Sequence, residues 1–396
     1  MKHRAWLVAS FLLGITGGLL LWHLMGANPG PTPLEAPDSL TRAPDIDVPV
    51  THSFGSADSL PSQLSNGDFS KMIEQFSEPG GSFRYQNYLS NERSYQHPIP
   101  ELLKRIKPGG VYLGVGPEQN FTYIAAIRPE MAFIVDIRRQ NMIELLLYKA
   151  LFAMAANRSE FVSMLFARRP SRTVLESAQA DDLFAAFGGV QPERELAQAT
   201  LQRIRQQLRL GSDDESTVDE LYRVFVSAGP DLTYSSMNHS APAGPSYQSL
   251  MTMTDTNGRN WSYLASEENF SFIKEMQRKN LIVPLVGDFS GPKTLRTVAK
   301  YLEDHKARVG AFYVSNVEMY ILVPPKWKRF CENVAALPMD QSSVFIRFLI
   351  GPYARAMAKG AFRVQNMSVL GPMIDVLTGV TKGYPPSYYD LINASR

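Results

Sequence analysis

Cysteine is almost missing: Cys331 stands alone in a chain of 396 residues. One thiol excludes an intrachain disulfide framework and any cysteine-built zinc cluster, and it fits either redox compartment. Histidine is sparse too. The six residues His3, His23, His52, His97, His239 and His305 show no His-x-x-x-His or related spacing, so no metal is expected and they read as scattered surface or loop residues. Charge of one sign is also lacking. A net charge of +2 and no dense basic run argue against nucleic acid as a partner. Neither a Gly-x-Ser-x-Gly elbow nor a Gly-x-x-x-x-Gly-Lys phosphate loop is present, so hydrolase and ATPase readings have no motif behind them.

What is present is an ordinary globular composition, 44% hydrophobic and 20% charged, enough for one large domain or two medium ones. One long apolar run stands at the amino terminus. Lys2, His3 and Arg4 precede Ala5 to Met25, which contains no Asp, Glu, Lys or Arg. At about 1.5 Å per residue, such a run crosses a hydrocarbon core of about 30 Å. Residues 1–27 therefore read as a signal-anchor or transmembrane segment. Met25-Gly26-Ala27 is a poor cleavage site, which leaves a cleaved signal as the alternative. Basic residues lie before the run, and Glu35, Asp38, Asp45 and Asp47 after it. The positive-inside rule then places the folded domain extracytoplasmically, periplasmic or at the cell surface, with the membrane as a partner through this segment. If the segment is cleaved, the domain is secreted. Residues 28–68, rich in Pro and Ser, are expected to be a flexible linker. The folded domain is expected over 69–396.

Within that domain the organising stretch is Gly110-Val-Tyr-Leu-Gly-Val-Gly-Pro-Glu-Gln-Asn120. Val111 to Val115 predicts a buried strand, and Asn120 to Ile127 the helix after it, with Gly114 and Gly116 allowing a sharp turn and close backbone approach to a ligand. Met131 to Val135 predicts a second strand ending at Asp136, about 20 positions beyond the glycines, where a βαβ nucleotide site places its ribose-binding acid. Asp136 as the cap of the next helix is the alternative. Arg138 and Arg139 read either as phosphate contacts or as solvated helix residues. Asn141 to Ala156 predicts a long buried helix, with Met142, Leu145, Leu146 and Phe152 on one stripe.

Residues 157–230 depart from strand–helix alternation. Helices are predicted at Phe161–Ala167, Ser177–Phe187, Glu193–Leu210 and Val218–Val226, either as a lid on one rim or as a decoration without function. Asp231 to Gly258 reads as a long loop. Ser266 is placed to cap a helix from Glu267 to Lys279. Leu281–Val286 and Val309–Val314 predict two more strands, ended by Gly287-Asp288-Phe-Ser-Gly-Pro292 and by Ser315-Asn316-Val317-Glu318. Lys293–His305 and Trp327–Leu337 predict helices. Val344–Ile350 predicts a further strand, Phe362–Leu370 its hairpin partner, and an irregular tail follows Thr381. Four strand ends with polar or glycine-rich tips fit one cleft.

On these runs the chain resembles the class I S-adenosylmethionine-dependent methyltransferases, over about Pro108 to Leu322. Tyr112-Leu-Gly-Val-Gly-Pro-Glu118 lies where that family has its glycine-rich loop, and Gly287-Asp288 resembles its Gly-Asp pair at the third strand. More narrowly, Gly-Val-Gly-Pro-Glu-Gln-Asn-Phe, Gly-Asp-Phe-Ser-Gly-Pro and Ser-Asn-Val-Glu resemble a bacterial subgroup of this fold to which we attach no reaction. The resemblance implies an α/β fold, a Rossmann-like doubly wound sheet of methyltransferase type carrying the helical insertion. It implies S-adenosylmethionine as cofactor, bound by Gly114, Gly116, Glu118, Asp136 and Asp288, with Asn316 and Glu318 facing the substrate: Glu318 as general base, Asn316 orienting the acceptor. For those two, a strand-to-helix turn and a helix cap is the alternative. Tyr112 and Glu118 depart from the family loop, which begins with an acid and has a third glycine. Glu118 would repel the cofactor's own carboxylate unless it turns away or is protonated. The partner is then an unknown small molecule, or a protein if the fold serves as a non-catalytic envelope interaction module, since fold alone does not determine function.

Overall fold

Five apolar runs and one mixed strand form one sheet. In the computed structural model, which describes residues 59–234, 244–358, 366–377 and 388, the strands are β1 Val111–Gly114, β2 Ala132–Asp136, β3 Ile282–Val286, β4 Val309–Ser315, β5 Val344–Ile350 and β6 Asn366–Pro372. The apolar run at 5–25, most of the expected linker, residues 359–365 and most of the tail after Thr381 lie outside the described residues. Among the described residues no helix is long and apolar enough to cross a membrane.

The sheet order is β3-β2-β1-β4-β5-β6. β1 to β5 are mutually parallel, and β6 returns antiparallel to β5, with Val344 opposite Pro372 and Ile350 opposite Asn366. This mixed α/β architecture is compatible with a Rossmann-like doubly wound fold. β1, β2 and β3 are buried throughout, as parallel strands covered on both faces must be, which is why they read as unbroken apolar runs rather than alternating ones. Pro284 sits inside β3 without disturbing the ladder. Proline supplies no N–H, and β3 pairs only with β2, so it is an edge strand that tolerates the loss. The chain direction across the sheet reverses between β1 and β4, opening a crevice at their carboxyl ends.

The crossover helices follow their caps. Ser266 accepts from the Asn269 N–H at 3.2 Å and starts the helix Glu267–Arg278 as expected. The helix Arg139–Met154 is buried on nearly all sides, not along one stripe. The inserted helices explain this, because they cover its outer face. Phe152 and Phe161 meet in a tilted pair at 4.6 Å, Tyr148 meets Phe225 at 5.7 Å, and the Tyr222 hydroxyl donates to the Met164 carbonyl at 2.7 Å. These helices run Arg158–Phe166, Ala180–Ala185, Arg194–Leu208 and Ser212–Ala228.

Two boundaries differ from expectation. Folding begins before Phe69: Leu64 is buried and its N–H bonds the Lys279 carbonyl, and a helix runs from Asn66 to Phe76. The stretch read as a loop from Asp231 to Gly258 contains the helix Tyr247–Thr252, capped by Ser246, whose Tyr247, Leu250 and Met251 enter the core. That i, i+3, i+4 spacing is visible in the sequence but spans under two turns, too short to stand out.

Candidate functional site

The carboxyl ends of β1 to β4 surround a cavity of about 390 Å³, within the range of small-molecule sites. Gly116 lines it from the end of β1, Asp136 from β2, Asp288 from β3 and Asn316 from β4. The structure thus brings together four of the seven residues singled out in the sequence. Gly116 has φ +80, a conformation that glycine alone adopts cheaply. Its carbonyl is held by the side-chain amides of Asn120 and Asn141, each at 3.1 Å.

The other three lie elsewhere. Gly114 does not line the cavity; it makes room in the core. A Cβ there would sit 1.9 Å from Asn120 Oδ1, on the hydrogen bond that Asn120 accepts from the Tyr112 hydroxyl at 2.8 Å. Glu118 is fully buried behind the turn and outside the cavity lining. Neither of its carboxyl oxygens makes a hydrogen bond of ordinary geometry. Burial pushes this carboxyl up to about 8, against a weaker opposing pull from the nearby Glu118 and Ser90 backbone amides. Glu144, its buried neighbour, is held well above the usual carboxylate range by burial and then by Glu118. Glu118 therefore turns away from the cavity and is mostly protonated at neutral pH, which removes the repulsion expected of it. Glu318 is not an open base either. It is fully buried and forms a two-pronged ion pair with Arg347 of β5, at 2.7 and 3.1 Å, away from the cavity lining.

Asp136 lines the cavity but is already engaged. Its Oδ1 accepts from the Arg138 backbone N–H at 2.8 Å and from Arg138 Nε at 3.0 Å, while Oδ2 accepts from Nη2 at 2.9 Å. Arg138 is thus buried in a local ion pair, neither a solvated helix residue nor a free phosphate contact. Asp288 accepts from the backbone N–H and hydroxyl of Ser290, both at 2.8 Å, and lies 3.9 Å from Lys326 Nζ.

No residue between 157 and 230 borders the cavity, so the inserted helices are not its lid. A different segment covers it, residues 82–92, which precede β1 in the chain. Gly81 N–H bonds the Ile137 carbonyl at 2.7 Å, Tyr88 N–H bonds the Tyr234 carbonyl at 3.0 Å, and Arg138 Nη1 donates to the Gln86 carbonyl. Phe83 meets Tyr320 at 5.3 Å, and Tyr85 meets Tyr234 at 5.8 Å, making an aromatic rim.

This segment delivers Glu92, which no sequence signal marks. It is 2% exposed and lines the cavity. Its Oε1 accepts from the Tyr313 and Ser315 hydroxyls, each at 2.5 Å, while Oε2 has no hydrogen-bond partner among the described residues. Gln119 in turn donates to the Tyr313 hydroxyl at 3.1 Å. Burial pushes the Glu92 carboxyl up to about 7, against the opposing pull of the Ser315 and Tyr313 bonds. Ser315 holds φ +50, uncommon for a residue with a Cβ, at a register shift in the β4–β5 pairing. Strain of this kind persists only where surrounding structure over-determines it. A buried carboxyl shifted in this way beside a cavity marks a candidate functional position.

A family model described as "Domain of unknown function (DUF7790)" matches residues 87–368, more than half of the chain. The match begins within the covering segment and ends within β6. No curated protein matches the chain.

Proposed function

The chain belongs to the DUF7790 family, and we propose that its cavity binds a small ligand of the nucleoside class, S-adenosylmethionine or a relative, on a methyltransferase-like version of the doubly wound fold. The reading also holds the domain outside the cytoplasm through the apolar run at 5–25. One observation carries the ligand assignment: the tips of β1, β2, β3 and β4 line a single cavity at the point where the strand order reverses. Fold likeness by itself would not carry it.

Three features fit such a ligand. Gly116 lets the β1 turn lie close against it, the buried and mostly protonated Glu118 leaves its anionic end unopposed, and the aromatic rim suits a planar base. One feature opposes a ribose diol. The Asp136 carboxylate already accepts three hydrogen bonds from Arg138, and a carboxylate offers about four acceptor sites. A diol is received there by one bond, or by two once Arg138 swings away. That same observation favours a second reading, a non-catalytic interaction protein that keeps the fold without using the pocket.

Isothermal titration calorimetry of the full chain with S-adenosylmethionine, S-adenosylhomocysteine and adenosine separates the two. Binding of any of the three below millimolar, weakened by Asp288→Ala, supports the nucleoside reading. No heat with all three at millimolar concentration sinks it and leaves the interaction protein.

A further inference from the structure

We propose that Ser315 is a nucleophile with Glu92 as its general base, and that the pair transfers the acyl group of a small carboxylic ester entering the cavity. The inference needs the cavity to admit a small molecule, but not that molecule to be a nucleoside.

Ser315 is partly exposed and lines the cavity at the end of β4. The Val317 N–H bonds the Val314 carbonyl at 3.0 Å, so Ser315 takes the first corner of a tight turn leaving the strand. Its φ of +50 is a conformation that Gly, Asn or Asp adopts more cheaply at such a corner. The contact made by its hydroxyl gives a reason for serine there. That hydroxyl donates to Glu92 Oε1 at 2.5 Å. Tyr313 donates to the same oxygen and itself receives a bond from Gln119 at 3.1 Å, which orients the carboxylate. Nucleophile, base and orienting donor within hydrogen-bond reach is the arrangement that activates a hydroxyl.

The Asn316 N–H, next after the serine, meets no acceptor among the described residues. It is the donor a carbonyl oxygen would use as it gains charge. A strained serine between a parallel strand and the short helix Glu318–Ile321 has the layout of a nucleophile elbow. The elbow's two glycines are replaced by Tyr313 and Val317, which is why no motif shows in the sequence.

As Ser315 Oγ attacks the ester carbonyl, its proton passes to Glu92 and the π pair moves onto the carbonyl oxygen. When the bond to the leaving oxygen breaks, Glu92 returns that proton and an alcohol departs. Water then attacks the acyl-serine and gives a proton to Glu92, from which the Ser315 oxygen recovers it as the acid leaves. One ester and one water become one acid and one alcohol. Burial of Glu92 makes it a stronger base than an exposed carboxylate. Phe289, Phe348, Tyr320 and Ile350 line the cavity and suit an apolar acyl chain. Arg84 and Lys326 line it too, so a phosphate ester is the competing substrate.

The test is mass spectrometry of the full chain exposed to an alkyl fluorophosphonate. One adduct should form and map to Ser315, and the urea-unfolded chain should stay unlabelled. Glu92→Gln keeps an acceptor for the serine but no base, and should slow labelling about 100-fold or more; a thermal melt checks that it folds. If it does not fold, the adduct site and ester turnover of wild type decide alone. Wild type should release at least one equivalent of nitrophenolate from 4-nitrophenyl butyrate and none from 4-nitrophenyl phosphate, and Ser315→Ala none from either. No adduct at Ser315, equal labelling of a folded Glu92→Gln, an adduct without ester turnover, or turnover of the phosphate overturns the proposal. If Ser315 reacts while adenosine and its relatives give no heat, the nucleoside reading fails and the serine stands. If they bind and Ser315 stays unlabelled, the reverse holds.

Discussion

In the unfolded chain the Glu92 carboxyl has its ordinary pKa of 4.5, and in the fold it is pushed up to about 7. Between those values the folded protein holds a proton that the unfolded chain has released, so raising the pH favours unfolding. The stability is fully present below about pH 4.5, declines through the window up to about pH 7, and is level above it. At about 1.4 kcal/mol per pH unit, that window corresponds to about 3 kcal/mol. The Glu92→Gln variant does not titrate, and its amide oxygen can accept the same two bonds from Tyr313 and Ser315. Its unfolding free energy should therefore gain on that of wild type by about 3 kcal/mol between pH 4 and 8. Urea denaturation followed by fluorescence at a series of pH values measures the difference, in which contributions of distant carboxyls cancel. A difference that stays flat within about 0.5 kcal/mol, or that falls as pH rises, refutes the reasoning. A fall would mean that Glu92 gains more from its partners than it loses to burial.

Glu118 behaves in the same sense over a wider window. Its carboxyl is pushed from 4.5 to about 8, so Glu118→Gln should overtake wild type in urea melts by up to about 5 kcal/mol above pH 8 while matching it near pH 4. Gly114→Ala drives a methyl onto Asn120 Oδ1 and breaks the Tyr112–Asn120 bond; a loss of about 3 kcal/mol is expected by chemical denaturation. Arg347→Met leaves Glu318 buried and unpaired, at an expected cost of about 3–5 kcal/mol, and adding Glu318→Leu should recover most of it. A double-mutant cycle on that pair checks both numbers.

Much of the sheet is legible locally. β1 to β4 are apolar runs closed by glycine or polar tips, and their positions follow from that contrast within a residue or two. Pro284 even marks β3 as an edge strand. The site is legible only in part. Gly116, Asp136, Asp288 and Asn316 stand at strand ends, and strand ends of a parallel sheet open on one side, so their convergence follows from topology. Gly114, Glu118 and Glu318 lie within four residues of true lining positions, yet the backbone turns each into the core. A glutamate on a turn reads the same whether it faces a ligand or a buried Arg347.

What the amino-acid sequence determines by itself is therefore the periodic part: which runs are strands, which helices cross between them, and which tips share an end. These depend on neighbours a few residues apart. Tertiary structure alone decides that Glu92 meets Tyr313 across 221 residues, that residues 82–92 cover the cavity in place of the inserted helices, and that Glu318 meets Arg347 of β5. Each of these is a pairing of a polar group with its burial partner. The desolvation that gives Glu92 and Glu118 their properties arises only when distant segments close around them.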